Sequence, residues 1–332
     1  MTKPADQALI SYRDLVAGAR NDQRELVDVE TRGGHAVVRM NGPEALNPLN
    51  GPMTIQLLDH LRQLAQEAAI RAVVLTGAGP SFSAGGDLRG MAATVHPLIA
   101  HSPEGATAMW RWIRYEFGAV VRLIVHSDRL FVAAINGAAA GVGLAFAMAC
   151  DLVIASDRAR LLTAFGRIGL VPEVGLSWLL TRRLGYHKAM ELFVSGTILS
   201  AEQALGLGLV NEVVPHDELL PRAEHWCERA MALPAHALDM TKPLLGSVAD
   251  MSWDQAIAME EFAEPMCFAT HAHREAVAEM LGRRGGRVYQ SGKNRTAWLL
   301  LHHRSHRPNG HAEMRWAARP QMASVNSQTT SR

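Results

Sequence analysis

Residues 135–143 read Ile135-Asn136-Gly137-Ala138-Ala139-Ala140-Gly141-Val142-Gly143 and continue into the apolar residues 144–150. The apolar stretch 130–135 has the length of a buried strand, and residues 141–149 are predicted to form a helix. Small residues at such a junction let the backbone approach a ligand closely, and the first helical turn points free N–H groups outward. The stretch therefore predicts an α/β fold with a ligand-binding turn at this junction.

A second junction of the same kind occupies residues 76–88, which read TGAGPSFSAGGDL. It follows a short apolar strand predicted at 72–75. Two such turns could offer two backbone N–H donors to one oxygen, which is what an enolate or oxyanion requires. The pair of turns therefore points to chemistry on a carbonyl compound.

The rest of the chain favours strands that alternate with helices. Gly33 and Gly34, flanked by alternating residues 26–31 and 36–40, predict a hairpin. Apolar spacing predicts helices over 54–69 and 106–126, and a strand over 151–155. Apolar strands that alternate with helices pair in parallel under a helical cover. From residue 176 onward the pattern is helical, with Ser200 as an N-cap.

Four regions follow from these patterns. We expect a loose lead-in over residues 1–24, an α/β core over 25–215, a helical region over 216–285 and a disordered tail over 286–332. Within the core, residues 89–104 have no clean periodicity and predict a mobile loop.

Composition and charge exclude several function classes. The tail from residue 286 holds eight Lys/Arg and one Asp/Glu, which leaves 25 and 31 in residues 1–285. That mildly acidic part offers no basic field for nucleic acid. Cys150, Cys227 and Cys267 lack the spacing of a metal or disulfide site, so we expect no metal and a reduced, cytoplasmic location. No signal peptide or membrane span is predicted.

Six blocks in their order resemble the crotonase (enoyl-CoA hydratase/isomerase) superfamily, over residues 25–284. They are NGPEALNPLN (41–50), GAGPSFSAGGDL (77–88), AINGAAAGVGLAFAMACDLVIA (134–155), FGRIGLVPEVGLSWLLTRRLG (165–185), SAEQALGLGLVNEVV (200–214) and residues 274–284. The resemblance implies an α/β spiral of ββα repeats, a helical C-terminal trimerisation region, and homotrimers or hexamers. It also implies an acyl-CoA substrate, with coenzyme A as part of the substrate and no separate cofactor.

The resemblance also assigns site residues. The two backbone donors that hold a thioester enolate fall on Gly86 and Val142. Arg283 and Arg284 stand where relatives carry a basic pair that can approach the nucleotide of a neighbouring subunit. The remaining positions implied in CoA binding are Ala45, Leu46, Ala84, Asp87, Leu88 and Gly141, with Gly86 shared between the two sets.

The departures from the family pattern decide the expected reaction. The two glutamates of the hydratases correspond to Ala145 and Phe165, which cannot transfer protons. Glu173 stands where several double-bond isomerases and a dehalogenase branch place a single acidic residue. One carboxylate can remove a proton and return it two bonds away, because it becomes the acid once it has taken the proton. The expected activity is isomerisation of an enoyl-CoA double bond, with the pKa of Glu173 raised by desolvation.

Two other functions stay open from the sequence, and a third is disfavoured. The chain could hydrate a 2-enoyl-CoA, with Glu173 and a further group holding the water. It could also be an acyl-CoA-binding oligomer without catalysis. A nicotinamide dehydrogenase is disfavoured, because the spacing around Gly141 and Gly143 is not a dinucleotide fingerprint.

Ordinary structural roles are also open for the same residues. Glu173 could lie in the first turn of a helix, where the helix dipole favours a carboxylate. Asp87 could be a helix N-cap, and the glycines at 141 and 143 could serve close packing. Core packing explains four aromatic residues as well as substrate contact does, namely Trp110, Trp112, Tyr115 and Phe117.

Overall fold

The computed structural model describes residues 11–101 and 103–284, without the side chains of residues 101, 103, 283 and 284. The chain separates into two compact units, residues 1–277 and 278–332, and the described part of the second is the end of the last helix. The predicted tail, 286–332, and the first ten residues of the predicted lead-in lie outside the described residues.

The strands of the described residues form three sheets. They are β1 (Val27–Arg32), β2 (His35–Met40), β3 (Pro48–Leu49), β4 (Ala72–Gly77), β5 (Ser81–Ser83), β6 (Gly85–Gly86), β7 (Leu130–Ile135), β8 (Ala138–Ala140), β9 (Leu152–Ser156), β10 (Arg160–Leu162), β11 (Leu199–Ser200) and β12 (Glu212–Val214). The largest sheet has the order β1-β2-β4-β7-β9-β12, the second β11-β10-β8-β5, and β3 pairs with β6.

The pairing within these sheets is parallel except at two places. β1 pairs antiparallel with β2 through the predicted Gly33-Gly34 turn, and β10 pairs antiparallel with β11. β4, β7 and β9 are parallel neighbours in the largest sheet. β5, β8 and β10 follow them in the chain and are parallel neighbours in the second sheet. Successive turns of the chain thus add one strand to each layer, which is the expected α/β spiral.

The helices begin and end close to the predicted bounds over most of the chain. They are α1 (Tyr12–Arg20), α2 (Gly51–Gln66), α3 (Leu88–Gly90), α4 (His96–His101), α5 (Pro103–Trp112), α6 (Gly118–His126), α7 (Gly141–Ala149), α8 (Leu176–Leu184), α9 (Tyr186–Ser195), α10 (Ala201–Gly206), α11 (Leu219–Met231), α12 (Ala235–Val248), α13 (Trp253–Phe268) and α14 (His271–Arg284). Short π-helical turns, Met91–Val95 and Ile113–Phe117, join α3 to α4 and α5 to α6.

The large sheet is buried on both faces. Alternate side chains such as Val73 and Leu75 pack towards α2 and α7, whereas Val74 and Val132 pack on the opposite face against α11. This alternation follows from the two-residue period of a strand. α11 falls within the helical region predicted over residues 216–285, and its apolar face covers the sheet of its own chain.

Two predictions are wrong in this part of the molecule. The lead-in contains α1, because Ser11 and Asp14 form a capping box and the helix packs apolar residues on the core. The predicted loop over 89–104 is helical, since Asp87 caps its start and a π-helical turn continues the chain into α4.

Candidate active site

The two glycine turns touch each other through their backbones. Gly85 has φ +87°, and a Cβ placed on it would lie 2.6 Å from the carbonyl oxygen of Ala140. Gly141 has φ +52°, and a Cβ there would lie 4.0 Å from the Cα of Gly85. A left-handed conformation and a close backbone approach both require glycine. Glycine at position 85 therefore allows the turn before α3 to meet the turn before α7.

Gly86 and Val142, the predicted donors, lie on these adjoining turns. Val142 is the second residue of α7, whose N-cap Ala140 makes no side-chain cap. A helix leaves the N–H groups of its first turn without internal partners, so the Val142 N–H has no partner within α7 itself. Gly86 ends β6 beside Leu49 of β3. Convergence of the two N–H groups on one oxygen stays a prediction.

The predicted CoA-binding loop meets the first glycine turn. Pro43–Ala45 form one 3₁₀ turn, and Leu46 and Asn47 both have positive φ, 64° and 54°. The N–H of Ala84 donates to the carbonyl oxygen of Leu46 at 2.8 Å. Three of the residues predicted to bind CoA, Ala45, Leu46 and Ala84, are thus brought together and exposed.

Two buried asparagines organise these turns, and the sequence reasoning did not single them out. The Asn47 side chain accepts from the N–H of Gly42 and donates to the carbonyl oxygens of Ala78 and Ser81, each at 2.8 Å. The side chain of Asn136 donates to the same Ser81 oxygen at 3.0 Å. Both residues stand inside the quoted sequence blocks, where a polar residue among small and apolar neighbours was the available signal.

A cleft of about 240 Å³ lies between the predicted CoA-binding loop and α3. Ala45 and Asp87 line it, together with Glu44, Arg24 and Arg89. Arg24 forms an ion pair with Asp22 at 2.6 Å. The two arginines were not singled out from the sequence, because neither belongs to a recognisable motif.

Asp87 is the N-cap that was expected as its structural role. Its carboxylate accepts from the N–H groups of Arg89 and Gly90, both at 3.0 Å. The next residue, Leu88, has a 58% exposed side chain. Asp87 therefore holds the start of the helical segment that borders the cleft.

Glu173 is half-buried and lies in an irregular segment. Val174 has φ +47° and Gly175 has φ +89°, and α8 begins only at Leu176. Positive φ at a β-branched residue is rare and costs free energy. Because Glu173 precedes the N-cap Gly175, the first-turn alternative is wrong.

Burial alone raises the pKa of Glu173 to about 7. Among the described residues, none donates a hydrogen bond or an ion pair to its carboxylate. Desolvation disfavours the charged form of an acid, so the expected direction of the pKa shift is confirmed. A carboxyl group with this pKa can accept and return a proton near neutral pH.

The two positions of the hydratase glutamates are apolar and buried. Ala145 lies inside α7 and is fully buried. The Phe165 ring would be 3.8 Å from a Cβ at Gly141, so it lies against the second glycine turn. Its neighbour Ala164 has φ +57°. Within the described ranges, the non-glycine residues with positive φ are Leu46, Asn47 and Val174, which lie in segments predicted to form the site, and Ala164, which lies outside them and directly precedes Phe165.

An apolar cavity of about 190 Å³ adjoins the first glycine turn. Trp112 and Phe117 line it, which sets them apart from Trp110 and Tyr115, whose side chains are 55% and 46% exposed. Met91 lines the same cavity, and the end of its side chain would be 2.6 Å from a Cβ at Gly86. The cavity therefore starts beside a predicted donor. Among the described residues, its lining does not include Glu173 or Val142.

The last predicted binding residues lie at the end of α14. The backbone of Arg283 and Arg284 is helical, but their side chains are outside the described part. Within the described residues, no group of His, Cys, Asp or Glu is arranged to hold a metal ion. The same residues contain no helix that is both long and apolar enough to cross a membrane.

Comparison with known proteins identifies the relatives of this chain. The family model described as enoyl-CoA hydratase/isomerase matches residues 30–285. The chain is 32% identical to a 1,2-epoxyphenylacetyl-CoA isomerase of Escherichia coli, over 76% of this chain and 93% of the relative. It is 30% identical to a crotonyl-CoA hydratase of Syntrophomonas wolfei, over 75% of this chain and 92% of the relative.

Solved structures agree with the sequence relatives. A crystal structure described as an enoyl-CoA hydratase/isomerase from Mycobacterium abscessus has a TM-score of 0.72 and 31% identity, over 77% of this chain and 96% of that chain. The glycine turns and the two-layered spiral are thus found in a chain that matches this family over most of its length. The chain belongs to the enoyl-CoA hydratase/isomerase family and has the crotonase fold.

Proposed function

We propose that the protein isomerises the double bond of an enoyl-CoA thioester, with Glu173 as its only acid/base group. The observation that carries the proposal is the burial of this carboxyl group, which raises its pKa to about 7, while Ala145 and Phe165 occupy the positions of the hydratase glutamates. A single carboxylate is enough for isomerisation, whereas hydration also needs a group that activates water.

The reaction moves one proton and one pair of π electrons. The carboxylate of Glu173 takes a proton from the carbon next to the thioester of a 3-enoyl-CoA, and the electrons of that C–H bond form a dienolate. The N–H groups of Gly86 and Val142 stabilise the charge on the thioester oxygen. The protonated Glu173 returns the proton to C4, and the double bond becomes conjugated. Each oxyanion donor contributes roughly a 100- to 1000-fold rate increase in other enzymes.

Coenzyme A enters as part of the substrate, so no separate cofactor is proposed. The exposed loop with Ala45 and Leu46 would hold the adenine and pantetheine parts together with Ala84. Arg24 and Arg89 line the adjoining cleft and offer cations to the phosphate groups. Leu88, Gly141, Arg283 and Arg284 remain proposed binding positions.

We also propose that the protein assembles as a trimer or a dimer of trimers through its C-terminal helices. The side chains of Trp253 and Phe262 on α13 are 74% and 73% exposed, which is unusual for large apolar residues. Light scattering after size exclusion tests this: a mass of one chain would contradict the assembly.

The test of the reaction is E173Q, which keeps the size of the side chain and removes its basicity. We expect kcat for conversion of 3-hexenoyl-CoA to 2-hexenoyl-CoA to fall roughly 100- to 10,000-fold, followed by the absorbance of the conjugated thioester. E202Q, at an exposed position on α10, is the matched control and should keep the wild-type rate. Full activity of E173Q would refute the assignment.

Hydration is the second candidate, because one relative is named a crotonyl-CoA hydratase. The same pair of variants distinguishes it: fast hydration of crotonyl-CoA by the wild type, lost in E173Q, would favour a hydratase. Tight acyl-CoA binding without turnover of any thioester would instead favour a non-catalytic binding protein.

A further inference from the structure

The N-terminal helix α1 lies ahead of the family match, which begins at residue 30. It nevertheless forms part of the apolar cavity beside Gly86. Leu15 from α1 lines this cavity together with Met91, Trp112 and Phe117. One wall of the cavity therefore comes from a segment that the family pattern does not contain.

A partly buried hydrogen bond fixes the start of α1. The Tyr12 hydroxyl donates to the Glu116 carboxylate at 2.5 Å, and Glu116 is only 8% exposed. Glu116 belongs to the π-helical turn Ile113–Phe117, whose last residue lines the cavity. Burial and the nearby carboxylate raise the pKa of Tyr12 to about 12, so its hydroxyl stays protonated as the donor. The bond thus ties α1 to a second wall of the cavity.

Close packing fixes the other end of the helix. A Cβ at Gly51 would lie 3.0 Å from the Cβ of Ala19 and 3.4 Å from the Trp112 ring, so α1, α2 and Trp112 meet at this glycine. Arg20 forms an ion pair with Asp59 of α2 at 2.8 Å. α1 is therefore held at both ends against the elements that surround the cavity.

The size and position of the cavity suit the acyl part of a thioester. It begins at Met91, whose side-chain end is next to Gly86, and its volume is about 190 Å³. An apolar cavity of about 150 Å³ holds a benzene molecule in another protein. A ring or a chain of about six carbons would fill the present cavity, and a longer chain would meet the surrounding side chains.

We propose that α1 is a wall of the acyl pocket, in which Leu15 limits the size of the acyl group and the Tyr12–Glu116 bond positions the helix. The proposal rests on the proposed function only in that the ligand is an acyl-CoA whose thioester lies at Gly86. It does not depend on which reaction follows.

The test compares Leu15→Ala with Val16→Ala. Both residues are partly buried on α1 and pack on the core, but only Leu15 lines the cavity. Calorimetry with the saturated butyryl-, hexanoyl- and octanoyl-CoA measures binding without turnover. L15A should improve binding of octanoyl- relative to hexanoyl-CoA about tenfold, since each newly buried CH₂ strengthens binding several-fold. V16A should keep the wild-type ratio.

A bulkier residue tests the same wall in the opposite direction. Leu15→Phe should weaken binding of hexanoyl-CoA about tenfold and leave butyryl-CoA within twofold. Equal chain-length ratios in L15A, L15F and V16A would overturn the proposal, as would a wild type that binds none of these thioesters. If the chain-length ratios are as expected but the wild type shows no isomerase activity, only the proposed reaction is refuted.

The positioning role of the Tyr12–Glu116 hydrogen bond has its own readout. Tyr12→Phe removes the donor, so we expect KM for 3-hexenoyl-CoA to rise about fivefold or more while kcat stays within twofold. Glu116→Gln keeps an acceptor oxygen for Tyr12 and should behave like the wild type. A fall in kcat without a change in KM, or no change in either constant, would contradict the positioning role.

Discussion

The glycine turns and the Glu173 segment form two sides of the proposed chemistry and are built in different ways. The turns around Gly85 and Gly141 are buried junctions of parallel strands and helices, and their proposed function uses backbone N–H groups. The Glu173 segment is irregular, carries positive φ at Val174, and uses a side chain. The proposed backbone donors therefore depend on glycines that let the two turns approach each other. The proposed base depends instead on how far its carboxyl group is removed from water.

The largest effect is expected for Gly85→Ala, which tests whether the two glycine turns need a glycine where they meet. The new Cβ would meet the Ala140 carbonyl oxygen at 2.6 Å in a backbone conformation that alanine disfavours. We expect the free energy of unfolding to fall by on the order of 4 kcal/mol, from strain and overlap together. Urea denaturation measures the change.

Gly86→Ala is the matched control for that substitution. Its Cβ would meet only the flexible end of Met91, so we expect a loss of less than about 1 kcal/mol. Similar losses at positions 85 and 86 would contradict the view that the two turns meet at Gly85.

The glycine turns were also the part of the molecule that the sequence predicted best. The strand Leu130–Ile135 and the helix Gly141–Ala149 have the predicted bounds, because the pattern of small and apolar residues permits few alternatives. Ser200 caps α10 as expected, with a capping box to Gln203. These features depend on neighbours in the sequence, so local rules were sufficient.

Features that depend on distant contacts could not be predicted in the same way. α1 has a local signal in the Ser11–Asp14 capping box, but its place on α2 and its hydrogen bond to Glu116, 104 residues from Tyr12, depend on the fold. The roles of Asn47 and Asn136 depend on carbonyl oxygens of a loop that only the fold brings near. The direction of the Glu173 pKa shift and its cause, desolvation, were both expected once the family resemblance suggested an apolar pocket, and the structure confirms them.

The pH dependence of the reaction tests whether Glu173 is the base. The base must be deprotonated to take the first proton, and the pKa of Glu173 is about 7. We expect kcat/KM for isomerisation to rise with pH through about 7, and at pH 5 to be about 100-fold below its plateau. A profile that is flat between pH 5 and 8 would exclude a base with this pKa.

The same burial predicts that Glu173 reduces the stability of the protein. Its folded pKa, about 7, lies above the ordinary value of 4.5, so the folded state loses stability as pH rises between these values. E173Q removes this penalty and should be more stable than the wild type by up to about 3 kcal/mol at pH 8. The difference should shrink towards pH 5. Urea denaturation at both pH values checks it, and E202Q should show no such dependence.

The smallest effect is expected at Asp87, which lies where the first turn passes into the cleft. Asp87→Ala removes the acceptor for the N–H groups of Arg89 and Gly90, which costs about 1 kcal/mol. Asp87→Asn keeps an acceptor oxygen at the cap and should restore most of that stability. Because α3 leads to Met91 beside Gly86, D87A should also raise KM for the acyl-CoA more than it lowers kcat. If D87A and D87N were equally destabilised, the cap would not be what holds this end of the site.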